Sequence, residues 1–264
     1  MSTLTQATAY RGILERKHPV VRNTSEENLQ LTRIAIKRIT HELETNAAIW
    51  QSTRKKVIRP IIQQFLYKSI HGTHHIGKYW RNIEGYEERE TCATCGETES
   101  MCHIQTRCTE RSTQIVWRLA KDLWPHRNIP WPEITLGTIL GCGSINLQSD
   151  RPRGHHPRRQ KKTTHRGPTR LLQILISESA YLIWVLRCER VIQEKSLSER
   201  EIKMRWYRAI NERLTIDKVT ATKIKRNDNF TRQIEETWGP ALSKEKDIPV
   251  NWIHTSEVLV GRTA

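Results

Sequence analysis

The sequence predicts a mainly α protein built from a larger cysteine-bearing helical module and a second, smaller helical unit, joined by a disordered basic linker. Three observations predict it. Apolar residues recur at three- and four-residue intervals over long runs; strand patterning is confined to short stretches at 134–140 and 258–260; and a highly basic run separates two sets of helical segments. The boundaries that follow are a tail at 1–24, the first module at 25–145, the linker at 146–170 and a C-terminal helical region at 171–264.

Ser25, followed by Glu26, Glu27 and Asn28, marks a helix start, and Leu29, Ile36, Ile39 and Leu43 then share one face through Glu44. A second helix is expected from about Thr53 to Ile70, where Val57, Ile58, Ile61, Ile62, Phe65, Leu66 and Ile70 keep helical spacing. Pro60 should start or kink it, and Gly72 is placed to cap it. Ser112 to Trp124 carries Ile115, Val116, Leu119, Ala120 and Leu123 on one face and stops at Pro125; that face is expected to pack on the cysteine-rich stretch before it. Residues 151–170 hold eight Lys or Arg, three His, three Pro and no acid, too little apolar surface to offset the entropy of ordering. Leu171 to Gln193 reads as a long buried helix. Ser198 with Glu201 forms a capping box opening a helix over 199–214.

The most specific chemistry lies in Cys92, Cys95, His103 and Cys108, spaced C-x2-C-x7-H-x4-C. Zinc takes four tetrahedral thiolate and imidazole ligands, and a Cys-x2-Cys turn brings two sulfurs to one side of the metal while a later His and Cys close the other. With four protein ligands no position remains for an activated water, so the expected Zn²⁺ is structural. On an ideal helix His103 and Cys108 would stand about 140° apart at ~100° per residue. Cys108 must therefore lie past a helix end, or the helix is distorted. Cys102 could replace His103 as a ligand, and the bland alternative is a set of buried thiols; Cys142 and Cys188 read as packed cysteines.

Lys and Arg number 44 against 28 Asp and Glu, a formal net charge of +16 with pI near 9.9, and such a field favours polyanions. Single-stranded RNA or DNA is the expected partner. Candidate contacts are Lys78, Trp80, Arg81, Arg107 and Arg111 around the cysteine cluster, and Arg158, Arg159, Lys161 and Lys162 in the basic run. Most of the nine Trp, beside only two Phe, are expected in the core. The N-terminus shows no secretory pattern, and the apolar stretch 171–186 is shorter than the ~20 residues of a membrane span. No membrane partner is expected, and the location expected is intracellular, nuclear or cytoplasmic.

The cluster CATCGETESMCHIQTRC resembles the zinc-binding segment that follows the reverse transcriptase and RNase H regions of fungal non-LTR retrotransposon polyproteins. The resemblance extends to Ala9–Ile13 (AYRGI), His71–Trp80, Leu136–Gly143 (LGTILGCG), Arg170–Ile192, Trp206–Leu214 and Val258–Gly261, nearly the whole chain. It implies Cys92, Cys95, His103 and Cys108 as ligands, with Cys102 standing where an acid is usual. It also implies a C-terminal module that contacts reverse transcriptase and RNase H domains lying upstream.

The chain has no Asp-Asp pair for two-metal polymerase chemistry, and its five Asp (122, 150, 217, 228, 247) are scattered. The expectation is a non-catalytic, zinc-binding, nucleic-acid-binding module of a retrotransposon-derived protein. The alternatives are a structural or protein-interaction domain with zinc as a staple and, ranked low, an RNase H-like nuclease fragment.

Overall fold

The computed structural model describes residues 5–16, 22–148, 165–223, 228–243, 248–249, 251–255 and 258–261. The fold is mainly α, and among the described residues extended pairing is limited to two isolated bridges, Thr91 with Thr98 and Leu242 with Val260. The second bridge falls on the expected strand at 258–260. The expected strand at 134–140 is instead the short helix α6.

Helix α1, Gln6–Arg16, buries no residue. Helix α2, Asn23–Thr40, buries Leu29, Thr32, Ala35, Ile36 and Thr40, the three-and-four spacing of one face. It ends earlier than its apolar pattern suggests: His41 turns left-handed (φ 59°) and Leu43 is 66% exposed. Of the helix expected over 53–70 only the part from Pro60 is helical; 53–59 is turn and irregular chain, Ile61 on the expected apolar face is 46% exposed, and a separate short helix precedes it. Helix α3 covers Asn46–Ser52, capped by the Thr45 hydroxyl, and α4 covers Pro60–His71. Pro60 starts α4 because its ring disfavours helical backbone at Arg59, which is extended (ψ 147°), while its missing N–H is one a first turn leaves free anyway. Gly72 caps α4 in the left-handed region, as expected.

Helix α5 spans Arg111–Leu123 and the short α6 spans Leu136–Leu140, opened by the Thr135 hydroxyl accepting from the Thr138 amide. Here the LGTILGCG stretch has a packing explanation. A Cβ on Gly137 would sit 2.3 Å from the Leu31 carbonyl oxygen, so only glycine lets α6 press against α2.

Helix α7, Arg166–Ile192, is the axis of the fold. Every residue from Thr169 to Ala180 is buried, and the helix packs on α4, α5, α6, α9 and α8. Helices α8 (Glu199–Lys223) and α9 (Asp228–Trp238) complete it, α8 opening with the Ser198–Glu201 capping box. Two corrections follow. Residues 166–170 are helix, not linker: Pro168 sits in the first turn, where no intrahelical N–H is missed, and Arg170 is buried against Asp217 (2.7 and 2.8 Å). Secondly, the basic run does not divide two cores, because apolar residues of α2, α4, α5, α7, α8 and α9 form one hydrophobic cluster. The run itself, from 149 to 164, lies outside the described residues.

Buried polar groups on α7 explain why one helix can be enclosed on all sides. Gln173 Nε2 donates to the Gly143 and Ile145 carbonyls (3.2 and 2.8 Å), Ser179 Oγ accepts from Trp206 Nε1 (2.9 Å), and Glu178 holds Arg59 (Nε–Oε1 2.8 Å). Asp217 gathers Arg170, Arg213 and Trp238 Nε1, tying α7, α8 and α9 together. Trp206 and Trp238 are fully buried. Among the described residues α7 alone is long and apolar enough to cross a membrane, and 72% of its most apolar window is buried inside the fold. Core position accounts for that apolarity.

Candidate metal centre

The cysteine cluster is assembled by two tight backbone devices. The first is a hairpin in which the Cys92 amide donates to the Glu97 carbonyl (2.8 Å), the Gly96 amide to the Cys92 carbonyl (2.7 Å) and the Glu99 amide to the Glu90 carbonyl (2.9 Å). Gly96 sits at φ 73°, a left-handed position that costs a side-chain-bearing residue energy, and this closes the Cys-x2-Cys turn. The second is a π-helical turn over His103–Arg107. Its widened winding lets the Cys108 amide reach the His103 carbonyl, five residues back (2.8 Å), and Cys108 itself is extended. Both ways around the 140° mismatch are therefore used: the helix is distorted and Cys108 lies at its end.

The four donor atoms lie within 4.8 Å of one another. Metal–sulfur bonds of about 2.3 Å at tetrahedral angles put neighbouring sulfurs roughly 3.8 Å apart. Cys92 Sγ and Cys108 Sγ are 3.6 Å apart, and Cys95 Sγ is 3.5 Å from His103 Nε2, so the residues fit a tetrahedral metal ion. None of the six cysteines is in a disulfide. Burial raises the Cys92 thiol, but hydrogen bonding to His103, to the Thr94 and Cys95 amides and to Cys108 outweighs it and brings the group down to about 6. Cys108 is pushed up to about 12 by burial and, against the Glu110 amide, by Cys92 and Cys95. One thiolate thus suppresses the next, and a bound cation would relieve that conflict.

His103 is buried, and its Nδ1 donates to Glu97 Oε2 (3.1 Å), which turns Nε2 toward the sulfurs. A carboxylate behind a ligating imidazole fixes its tautomer and raises its basicity. The sequence reading missed Glu97, although an acid inside the ligand loop was its visible signal. Glu99 was missed as well: it is buried and held by Arg187 of α7 (Nε–Oε1 3.3 Å), which fastens the metal loop to the core helix. On the other side, Thr113 Oγ1 and Trp117 Nε1 of α5 donate to the Ile104 and Gln105 carbonyls (3.2 and 2.8 Å). Helix α5 thus reaches the cysteine segment through Thr113 and Trp117, while it packs mainly on α7 and α8 rather than, as expected, on that segment. Cys102 stands apart from the four donors, 3.7 Å from Thr106 Oγ1, so His103 is the fourth member of the set. Burial pushes Cys142 up to about 12, consistent with packing.

The other expected contacts are differently placed. Lys78, Arg107 and Arg111 are exposed. Trp80 is half-buried, donates Nε1 to the His75 carbonyl (2.9 Å) and lies under Arg89, which also covers Tyr86 (guanidinium to ring centroids 5.3 and 4.5 Å). Arg81 is spent on Glu90 (Nε–Oε1 3.0 Å). Arg158, Arg159, Lys161 and Lys162 lie outside the described residues. In comparisons with known proteins the chain matches no family model, no curated protein and no solved structure.

Proposed function

We propose that the chain is a non-catalytic nucleic-acid-binding module stabilised by zinc, of the kind that follows reverse transcriptase and RNase H regions in fungal retrotransposon polyproteins. The observation that carries it is the closed donor set: three cysteines and one histidine at tetrahedral spacing, backed by Glu97 and fastened to α7 through Glu99. Soft thiolates with one imidazole suit Zn²⁺, and four protein donors leave no open position for chemistry. The buried carboxylates Glu99, Glu178 and Asp217 are each bound to Arg, which supports a non-catalytic role. The net charge of +16 supplies attraction for phosphates.

A second reading, a protein-interaction domain with the metal as a staple, draws on the sequence around the cluster. Residues 75–111 hold Lys78, Arg81, Arg89, Arg107 and Arg111 against seven Glu, a net −2 within a strongly basic chain. One measurement tests the metal common to both readings, and a second separates them. Purified protein should carry one zinc per chain, and its Co²⁺ form should show tetrahedral d–d and thiolate charge-transfer bands. Affinity for single-stranded oligonucleotides should fall with salt at about 0.7 in log–log slope per phosphate neutralised. Protein with zinc and no oligonucleotide affinity would favour the interaction domain.

A further inference from the structure

Charge and shape single out a surface away from the metal. A groove of about 1480 Å³ runs between the last turns of α2 and the proline-rich loop 125–135, with the start of α7 along its edge. Its apolar lining comes from Ile39, Ile129, Pro130, Pro132, Leu147 and Pro168, and Arg38, Arg127, His41, His126 and His165 supply the cationic and imidazole groups. Glu133 is the one acid in the lining. It lies 3.8 Å from Arg38 with both side chains well exposed, a pairing worth little in water. His126 Nε2 is buried beneath the groove and has no hydrogen-bond partner among the described residues.

Gln148 and His165 both line the groove, and the His165 amide donates to the Leu147 carbonyl (2.9 Å). The intervening sequence, 149–164, has six Lys or Arg against Asp150 alone, a net +5. The sequence joined to this groove is thus strongly basic where the metal segment is net −2, and the described groove itself offers Arg38 and Arg127 to a phosphate backbone.

We propose that a single-stranded nucleic acid lies in this groove, with base faces on the apolar floor and phosphates toward Arg38 and Arg127. This rests on the nucleic-acid reading above and names its site. The metal segment then holds the fold and does not grip the strand. A single strand fits better than a duplex because only unpaired bases offer flat apolar faces to such a floor; a duplex presents mainly phosphates.

The test titrates the zinc-loaded full chain into labelled oligo(dT), oligo(U) and a mixed-sequence duplex at several salt concentrations. Arg38→Ala with Arg127→Ala should weaken single-strand binding about tenfold and lower the log–log salt slope by roughly 1.4, at ~0.7 for each of two phosphates. Both side chains are exposed, so the double variant should keep its zinc and melting temperature, and measuring both checks this. Lys78→Ala with Tyr79→Ala, on the metal segment, should leave affinity unchanged. The proposal is overturned if the groove pair changes neither affinity nor slope, if the metal-segment pair takes the loss, or if the duplex is preferred. Single-strand binding with a neutral groove pair would sink this site alone, whereas no binding to any oligonucleotide would sink the functional reading with it.

Discussion

The metal segment and the groove edge solve opposite problems with opposite chemistry. Residues 75–111 carry a net −2; His103 is held by Glu97, Glu99 by Arg187 of α7 and Arg81 by Glu90, while Lys78, Arg107 and Arg111 stay exposed. The groove edge leaves Arg127 exposed and pairs Arg38 only loosely with Glu133. Satisfied buried polar networks rigidify a structure, whereas exposed and loosely paired cations keep their charge for a ligand. On the proposed reading the most recognisable motif in the chain holds the fold together, and the contact surface lies elsewhere.

The largest effect expected is at the donors. Cys95→Ser should abolish stoichiometric zinc and cost several kcal/mol of stability, since zinc-finger peptides draw about 10–16 kcal/mol from the metal. Elemental analysis with chemical denaturation would show it; a variant that loses zinc but melts like the wild type would make the metal incidental to the fold. Glu99→Ala comes next. It leaves the Arg187 charge buried without its partner, a change that typically costs about 3–5 kcal/mol. If the loss is under ~1 kcal/mol, the metal loop is not held through this pair. Glu97→Gln should be milder, lowering zinc affinity about 10–100-fold in competition with a chelator while the zinc-saturated fold stays intact. An unchanged affinity would remove Glu97 from the support of His103.

These residues also show how far the sequence carries. The donor spacing, the helical class, the Pro60 start, the Gly72 cap and the Ser198–Glu201 box were legible because each depends on a few neighbouring residues. The mismatch between His103 and Cys108 even foretold a distortion, found as the π turn. What was not legible was pairing across the chain. Glu99 with Arg187, Arg59 with Glu178 and Arg170 with Asp217 join residues 47 to 119 positions apart, and no periodicity encodes them. Arg170 looked like part of a charged run because its partner lies on another helix. Leu43 looked like core because periodicity does not register that the chain turns at His41.

The smallest effect probes the junction between the metal segment and α7. His74 stacks near Trp184 (centroids 4.4 Å) and its Nε2 lies 3.0 Å from Ser69 Oγ and 3.3 Å from the Phe65 carbonyl oxygen. Burial holds its pKa down to about 4; the Phe65 carbonyl opposes the shift, and Lys68, His75 and Arg187 add to it. The unfolded chain takes up this proton near 6.5, the folded chain only near 4, so between those values protons favour unfolding. The contribution is present in full above about pH 6.5 and is lost as pH falls toward 4. Allowing for solvent screening of a half-buried ring, it should amount to ~1–2 kcal/mol at pH 5. His74→Gln retains a hydrogen-bonding side chain and removes the titration, so at saturating zinc its stability should fall less than the wild type's between pH 7 and pH 5. Metal release in acid is common to both proteins and cancels in that difference. Parallel curves would mean that the junction opens before His74 is protonated, and that the metal segment separates from α7 more readily than the buried Glu99–Arg187 pair suggests.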